Sequence, residues 1–191
     1  VTAAERGHKV VVLEKEHKLG GQLNIAHVPP MKYRLNWITE WYENEMNRLG
    51  VDVRMGTEAT IGLVKELNPD VVIVATGAKP SVPPINGIEH TVSSWNVLDG
   101  TADIVENSKV AILGGGDVGC ETAVYLAKEK KCEVQVFEMT GMFANGCGTL
   151  AELYQEIQEN HVVINLNAKV EKITVDHIEY VQNNESKIFN Y

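Results

Sequence analysis

The sequence predicts an α/β protein, and two observations support this fold class. Apolar runs of strand length alternate along the chain with segments of helical periodicity. This order is typical of parallel sheets, in which a helix connects neighbouring strands. The same order occurs twice, and in each half one strand ends in an acid, at Glu14 and at Glu138. The sequence therefore predicts two related units, a weak duplication rather than a short-period repeat.

The first half begins with a short helix and a strand. Residues 3–6 suit a helix that ends at Gly7, so we expect the chain to begin inside a helix. Residues 9–14 predict a buried parallel strand, and residues 20–22 predict a loop. The next predicted elements are a helix over 31–49, a strand over 51–55, a helix over 60–67 and a buried strand over 70–75.

A connector separates the two halves. Glycines and prolines interrupt any regular pattern between about 77 and 107, so we divide the chain into domains at 1–104 and 105–191. The second half predicts, in order, a strand at 109–113, a helix at 118–130, a strand at 133–138, a helix at 150–160, a strand at 162–166 and an antiparallel meander at 169–175, 177–182 and 186–189.

Composition excludes several classes of function. The chain has 191 residues, a net charge of −9 and 44% apolar residues, which fits a globular protein and argues against a nucleic-acid partner. Its apolar runs are far shorter than the roughly 20 residues that cross a membrane. Cys120, Cys132 and Cys147 form no paired motif, and the six histidines lack ligand spacing. We therefore expect no metal site, no disulfide framework and a cytoplasmic location.

A glycine motif carries the strongest chemical signal. Gly114, Gly116 and Gly119 form G-x-G-x-x-G directly after a predicted strand and at the start of a predicted helix, with Asp117 and Val118 between the last two glycines. In such a motif the first glycine permits a tight turn, the second lets a pyrophosphate approach the backbone, and the third lets helix and strand pack closely. Free N–H groups at the helix start then hold the anion. The sequence thus predicts a dinucleotide site in a Rossmann-like unit.

Glu138 indicates which dinucleotide would bind. It lies 24 positions after Gly114, close to the spacing of about 20 expected for the acid that binds ribose hydroxyls. A 2′-phosphate about 4 Å from this carboxylate would cost on the order of 4 kcal/mol at an effective dielectric of about 20. Residues 139–141 offer no arginine to compensate, so NADH is preferred over NADPH. The alternative is that Glu138 is only a solvated strand end.

These motifs together resemble the two-dinucleotide flavoproteins. The resemblance rests on Glu14, on Leu-Gly-Gly-Gln-Leu at 19–23, on Ala-Thr-Gly at 75–77, on the glycine motif and on Glu138. More narrowly, the runs 4–10 and 19–23 and the aromatic-rich helix after Tyr33 resemble the C-terminal part of NADH:flavin oxidoreductases of the 2,4-dienoyl-CoA reductase and trimethylamine dehydrogenase type. The resemblance implies two Rossmann-like, three-layer units, with the FAD-type unit truncated and a β-meander at the end of the NAD-type unit.

The resemblance also implies roles for individual residues. Glu14 would bind the adenosine ribose of FAD, and Glu121 would lie near the junction of nicotinamide and flavin, although it could equally be a helix-surface acid. NADH would contact Glu138 and the residues of the glycine motif. The remaining implied FAD contacts are Gly20, Gly21, Gln22, Leu23, Ala75, Thr76 and Gly77.

The implied chemistry is hydride transfer from NADH to FAD, followed by electron passage through a four-iron cluster to FMN. In the family, a barrel that carries FMN, and the four-iron cluster, precede this region. We expect the FAD pyrophosphate loop upstream of Val1, so that the fragment alone would be inactive. An oligomer is possible. Nucleophilic roles for Cys120 and Cys147 are disfavoured because no histidine partner can be assigned. The alternative function, from another class, is a module that binds ADP or NAD and transfers no electrons.

Overall fold

The computed structural model describes residues 1–145, 147–148 and 150–191, which form two compact units. Unit 1 contains residues 1–27 and 32–79, and unit 2 contains residues 28–31 and 80–191. Gly146, in the predicted loop around Cys147, lies outside the described residues. The predicted α/β class is confirmed, because each unit contains a parallel sheet and helices.

Unit 1 is built on two parallel strands. Strand β1 (Val11–Leu13) pairs with β2 (Asp52–Arg54) in the register Val11 to Asp52. Thr60 caps the helix at Ile61–Leu67 by accepting a hydrogen bond from the Leu63 N–H, as its residue type favours. The helices of this unit are α1 (Thr2–Glu5), α2 (Leu23–Ala26), α3 (Leu35–Arg48) and α4 (Ile61–Leu67), and a 3₁₀ turn covers Pro30–Lys32 at the passage through unit 2.

The predicted buried strand over 70–75 is wrong. Residues 71–80 have no regular structure, and Val71 and Ile73 are 76% and 82% exposed. An apolar run becomes a buried strand only where neighbouring strands and covering side chains are available. The described sheet of unit 1 consists of β1 and β2 and offers this run no pairing partner.

Unit 2 contains a three-stranded parallel sheet. Its strands are β3 (Lys109–Leu113), β4 (Glu133–Phe137) and β5 (Val163–Asn165), hydrogen-bonded in that order. Helices α6 (Asp117–Glu129) and α7 (Leu150–Glu159) connect these strands. One face of the sheet packs on these helices through a core that includes Val124, Leu126, Val134, Val136, Leu153 and Ile157.

A meander covers the other face of this sheet. Strands β6 (Ala168–Ile173), β7 (His177–Gln182) and β8 (Glu185–Asn190) pair antiparallel in sequence order. The Phe137 ring meets the Tyr180 ring edge-on, with the centroids 4.8 Å apart. Asn183 and Asn184 both have positive φ, as a tight hairpin turn requires. The predicted meander and the three-layer arrangement of unit 2 are thereby confirmed.

The connector contains more regular structure than its composition predicts. Residues Ser94–Leu98 form helix α5, which the Ser93 hydroxyl caps by accepting from the Trp95 N–H. Val97 and Leu98 of this helix are buried, so a local cap and apolar contacts outweigh the surrounding breakers. Among the described residues, no helix combines the length and apolarity that a membrane crossing requires.

Candidate functional site

The register of unit 2 places the glycine motif beside Glu138. Leu113, the last residue of β3, lies opposite Phe137, the last residue of β4. Gly114 and Glu138 therefore follow two neighbouring parallel strands at the same edge of the sheet, and the Gly114 N–H donates to the Phe137 carbonyl at 2.9 Å. Ligands of parallel α/β sheets bind at this carboxyl edge.

The three motif glycines meet three different structural requirements. Gly114 has φ +95°, a conformation that glycine adopts readily and other residues avoid. A Cβ on Gly119 would lie 2.0 Å from the Gly114 carbonyl oxygen, so only glycine permits this contact between helix and turn. A Cβ on Gly116 would meet nothing within 4 Å, so the backbone there faces open space that another molecule can approach.

The start of α6 has the features of an anion site. Gly116 is its N-cap residue and has no side chain to accept the first N–H groups of the helix. Asp117 and Val118 lie in the first turn, and Val118 is 47% exposed. These features fit a dinucleotide pyrophosphate, which would take the place of a capping oxygen.

Glu138 is held as an ionised carboxylate. Its Oε2 atom accepts from the Gly115 N–H at 2.8 Å, and its Oε1 atom accepts from the Thr140 N–H at 2.7 Å. Burial opposes ionisation, but the hydrogen bonds from the Thr140 and Gly115 backbone and from the Thr140 side chain outweigh it and lower the pKa of Glu138. Each carboxylate oxygen retains a second lone pair for a ribose hydroxyl.

Gly115, Ala144 and Cys120 hold this turn in place, and the sequence did not predict any of them as site residues. The carbonyl of Gly115 accepts from the Ala144 N–H at 2.7 Å and from the Cys120 thiol at 3.4 Å. Burial raises the pKa of Cys120 to about 12, which supports its predicted lack of nucleophilic chemistry. The run of three glycines at 114–116 was the available signal, since the G-x-G-x-x-G pattern requires only two of them.

Glu121 lies inside unit 2 rather than on the surface. Its residue is 4% exposed, between the buried Cys120 and Thr122 on α6. The helix-surface alternative for Glu121 is therefore wrong, because the second turn of α6 faces the core.

The predicted FAD residues of unit 1 lie in three segments, which are Glu14, the loop at 20–23 and the stretch at 75–77. Glu14 follows β1 directly; its N–H donates to the Arg54 carbonyl, and its Oε1 atom accepts from the Glu16 N–H at 2.9 Å. Gly20 and Gly21 both have positive φ, and the Asn24 amide donates to the Leu19 carbonyl at 2.9 Å, which fixes the entrance to this loop.

Gly77, in the stretch at 75–77, lies beside the loop at 20–23. With φ +75°, Gly77 lies so close to Gln22 that a Cβ there would approach the Gln22 Nε2 atom to 3.3 Å. Gly21 faces open space, Leu23 begins α2, and Ala75 and Thr76 are exposed. The open backbone at Gly21 could accommodate a flavin nucleotide along this loop.

A separate concavity lies elsewhere in unit 1. It has a volume of about 360 Å³ and lies between α3, β2 and the segment at 17–19, lined by residues that include His17, Lys18, Glu43 and Met55. None of the predicted cofactor residues lines it. Among the described residues, no group of histidine, cysteine and acidic side chains has the arrangement of a metal site.

Comparison with protein families gives a match over residues 1–191. The chain is a member of the pyridine nucleotide-disulphide oxidoreductase family. Its relatives include the NADH oxidase of Thermoanaerobacter brockii, 37% identical over 92% of this chain, and the bilirubin reductase of Mediterraneibacter gnavus (strain CC55_001C), 40% identical over 97% of it. The chain spans 27% and 29% of the lengths of these two relatives.

Solved structures share the fold of this chain. A 2-naphthoyl-CoA reductase in complex with 2-naphthoyl-CoA matches with a TM-score of 0.89 and 27% identity, over 98% of this chain and 28% of that chain. The histamine dehydrogenase from Rhizobium sp. 4-9 matches with a TM-score of 0.79 over 97% of this chain and 30% of that chain; at 16% identity it shows the fold alone. The predicted resemblance to the FAD/NAD-binding region of two-dinucleotide flavoproteins is confirmed.

Proposed function

We propose that this chain is the FAD- and NADH-binding region of a longer flavin-dependent oxidoreductase. The observation that carries the proposal is the junction of the glycine turn with Glu138 at the carboxyl edge of the unit 2 sheet. A tight turn, an open backbone at Gly116 and an uncapped helix start together match what a dinucleotide requires. Residues 1–104 would serve FAD, and residues 105–191 would serve NADH.

The NADH site would use the backbone more than side chains. The N–H groups at the start of α6, around Gly116, Asp117 and Val118, would bind the pyrophosphate. The ionised Glu138 would accept hydrogen bonds from the adenosine ribose and repel a 2′-phosphate, which supports a preference for NADH. Gly114 and Gly119 would shape the turn without touching the nicotinamide.

The FAD site would use residues of unit 1. Glu14 would bind the adenosine ribose, and the loop from Gly20 to Leu23 would run along the ribityl and pyrophosphate groups. The stretch Ala75–Gly77, which lies beside Gln22, would contact the cofactor. The open backbone at Gly21 supports the placement of the cofactor along the loop. When bound, FAD supplies a hydride acceptor for NADH.

Glu121 is the proposed active-site acid. Its near-complete burial in α6, one turn after the dinucleotide-binding N-terminus, excludes bulk water from its side chain. In this position it would orient the nicotinamide or hold a proton at its carboxyl oxygen. The structure supports the burial that such a role requires.

The electrons would leave this region for another part of the protein. The chain spans less than a third of the relatives reported above, so most of such a protein lies in other segments. By the family resemblance, these would include a barrel with FMN and a four-iron cluster. Cys120, Cys132 and Cys147 are thiols rather than disulfides, which favours a reducing cytoplasm.

The test is an anaerobic titration of the full-length protein with NADH. The purified protein should carry flavin absorbance, and the flavin band should bleach as NADH is added. Gly116→Ala should keep the flavin and weaken its reduction by NADH, since a Cβ there would occupy the open space. Gly62→Ala, on the exposed first turn of α4, is the matched control. Purification without flavin would overturn the FAD assignment, and saturation without bleaching would indicate the non-catalytic nucleotide-binding module instead.

A further inference from the structure

Gly115, the middle residue of the three glycines, is held from both sides. Its N–H donates to the Glu138 carboxylate at 2.8 Å, while its carbonyl accepts from the Ala144 N–H at 2.7 Å and from the Cys120 thiol at 3.4 Å. Gly115 is buried, although the glycines on either side of it are exposed. The dinucleotide fingerprint allows any residue at this position.

A side chain at Gly115 would collide with Glu138. A Cβ there would lie 2.8 Å from the Glu138 Cβ atom and 3.2 Å from its Cγ atom. The Glu138 backbone cannot shift to relieve this contact. Its backbone N–H donates to the Asn165 carbonyl, and its backbone carbonyl accepts from the Ala168 N–H, each at 2.9 Å. The carboxylate would therefore have to rotate away from the Gly115 N–H.

The returning loop holds Gly115 at some conformational cost. Ala144 has φ +46°, a left-handed conformation that alanine avoids, yet it is 1% exposed and its N–H reaches the Gly115 carbonyl. A strained, buried residue persists only where the surrounding contacts determine its conformation. The segment after Glu138 thus closes on the glycine turn and fixes its peptide orientation.

We propose that Gly115 is a positioning residue that determines dinucleotide specificity by fixing the Glu138 carboxylate beside the glycine turn. The inference rests on the proposed NADH site. A fixed carboxylate accepts from a 2′-hydroxyl and repels a 2′-phosphate, whereas a carboxylate that has rotated into solvent does both less well. Gly115 would act through Glu138 without touching the dinucleotide ribose.

The experiment is a double-mutant cycle in the full-length protein. The kcat/KM values for NADH and NADPH are measured at one ionic strength for the wild type, Gly115→Ala, Glu138→Gln and the double variant. Gly115→Ala should lower the NADH-to-NADPH ratio about tenfold, as expected for the loss of one hydrogen bond to a charged group. In the Glu138→Gln background the same change should leave the ratio unaltered. Gly62→Ala, on the exposed first turn of α4, is the control and should not change the ratio in either background.

Two results would overturn the proposal. An equal loss for NADH and NADPH would make Gly115 a structural residue of the turn, and an equal fall of the ratio in both backgrounds would show that it does not act through Glu138. If Gly115→Ala does not fold, Cys120→Ala replaces it, because it removes one donor to the Gly115 carbonyl and leaves the Ala144 bond. An unchanged ratio in that variant would also refute the proposal.

The failure of the proposed function would look different. A wild-type protein that oxidises neither NADH nor NADPH and binds neither in equilibrium dialysis would contradict the dinucleotide site itself. A wild type that prefers NADH, with a Gly115→Ala variant of the same preference, would contradict only the positioning role.

Discussion

Replacing Glu138 by glutamine tests the charge of the proposed ribose acid while keeping its shape. In the wild type both carboxylate oxygens accept backbone N–H groups, from Gly115 and Thr140. A glutamine keeps one acceptor and turns an NH₂ group toward the other donor, so one of these two bonds must be lost. The change also removes the negative charge that would face a 2′-phosphate.

The expected magnitude follows from these contacts. A carboxylate about 4 Å from a phosphate charge costs on the order of 4 kcal/mol at an effective dielectric of about 20, and partial exposure of Glu138 reduces this figure. For NADH, a weakened ribose hydrogen bond costs about 1–2 kcal/mol. We therefore expect the NADH-to-NADPH ratio of kcat/KM to fall by roughly ten- to a hundredfold, with about 1.4 kcal/mol for each factor of ten.

The assay is steady-state reduction of the full-length protein with either dinucleotide at matched ionic strength. Glu133→Gln is the control, because Glu133 lies exposed on the same strand and contacts Lys109 at 3.7 Å, away from the glycine turn. A ratio unchanged in Glu138→Gln, with equal losses for both dinucleotides, would refute Glu138 as the discriminating acid. A loss of the same size in Glu133→Gln would point to a general effect of charge.

Four further outcomes follow from the contacts of single residues. Gly119→Ala should abolish reduction of the flavin by NADH and lower the melting temperature, because the new Cβ would lie 2.0 Å from the Gly114 carbonyl oxygen. A variant with wild-type values would contradict the close packing. Cys120 should resist iodoacetamide up to about pH 10 in the native protein, and rapid labelling at pH 8 would contradict its raised pKa. Its contribution to stability should be complete below about pH 9 and disappear as the pH rises toward about 12, seen as a steeper loss than in Cys120→Ser. Gly62→Ala should raise the free energy of opening of α4, measured by amide exchange, by about 0.5 kcal/mol, and Thr60→Ala should lower it by about 1 kcal/mol. Equal exchange rates in both variants would contradict the capping argument.

Spacing along the chain predicted the parts of the site that depend on local geometry. The G-x-G-x-x-G motif between a strand and a helix fixed the roles of Gly114 and Gly119, which the positive φ and the 2.0 Å approach support. The offset from Gly114 to Glu138 predicted their proximity, because parallel strands of similar length end at one edge of a sheet. Neither inference required knowledge of distant contacts.

Other features depended on contacts that spacing does not encode. The apolar run from Val71 to Ala75 has the composition of a buried strand, but the described sheet of unit 1 leaves it unpaired and exposed. The connector helix at Ser94–Leu98 formed in spite of its breaker-rich surroundings, because Ser93 caps it and two of its residues are buried. In both cases the packing environment decided the outcome rather than the residue pattern.

The sequence by itself determined the α/β class, the glycine turn and the acid at the end of β4, since periodicity and short spacings specify strands, helices and the turns between them. Only the tertiary structure decided that Gly115 must lack a side chain, because the reason is the Glu138 Cβ atom, 23 residues away along the chain. It also decided that the Ala144 N–H and the Cys120 thiol meet the Gly115 carbonyl. Such contacts arise when a loop folds back on a turn, and their partners are selected by the packing of the whole unit.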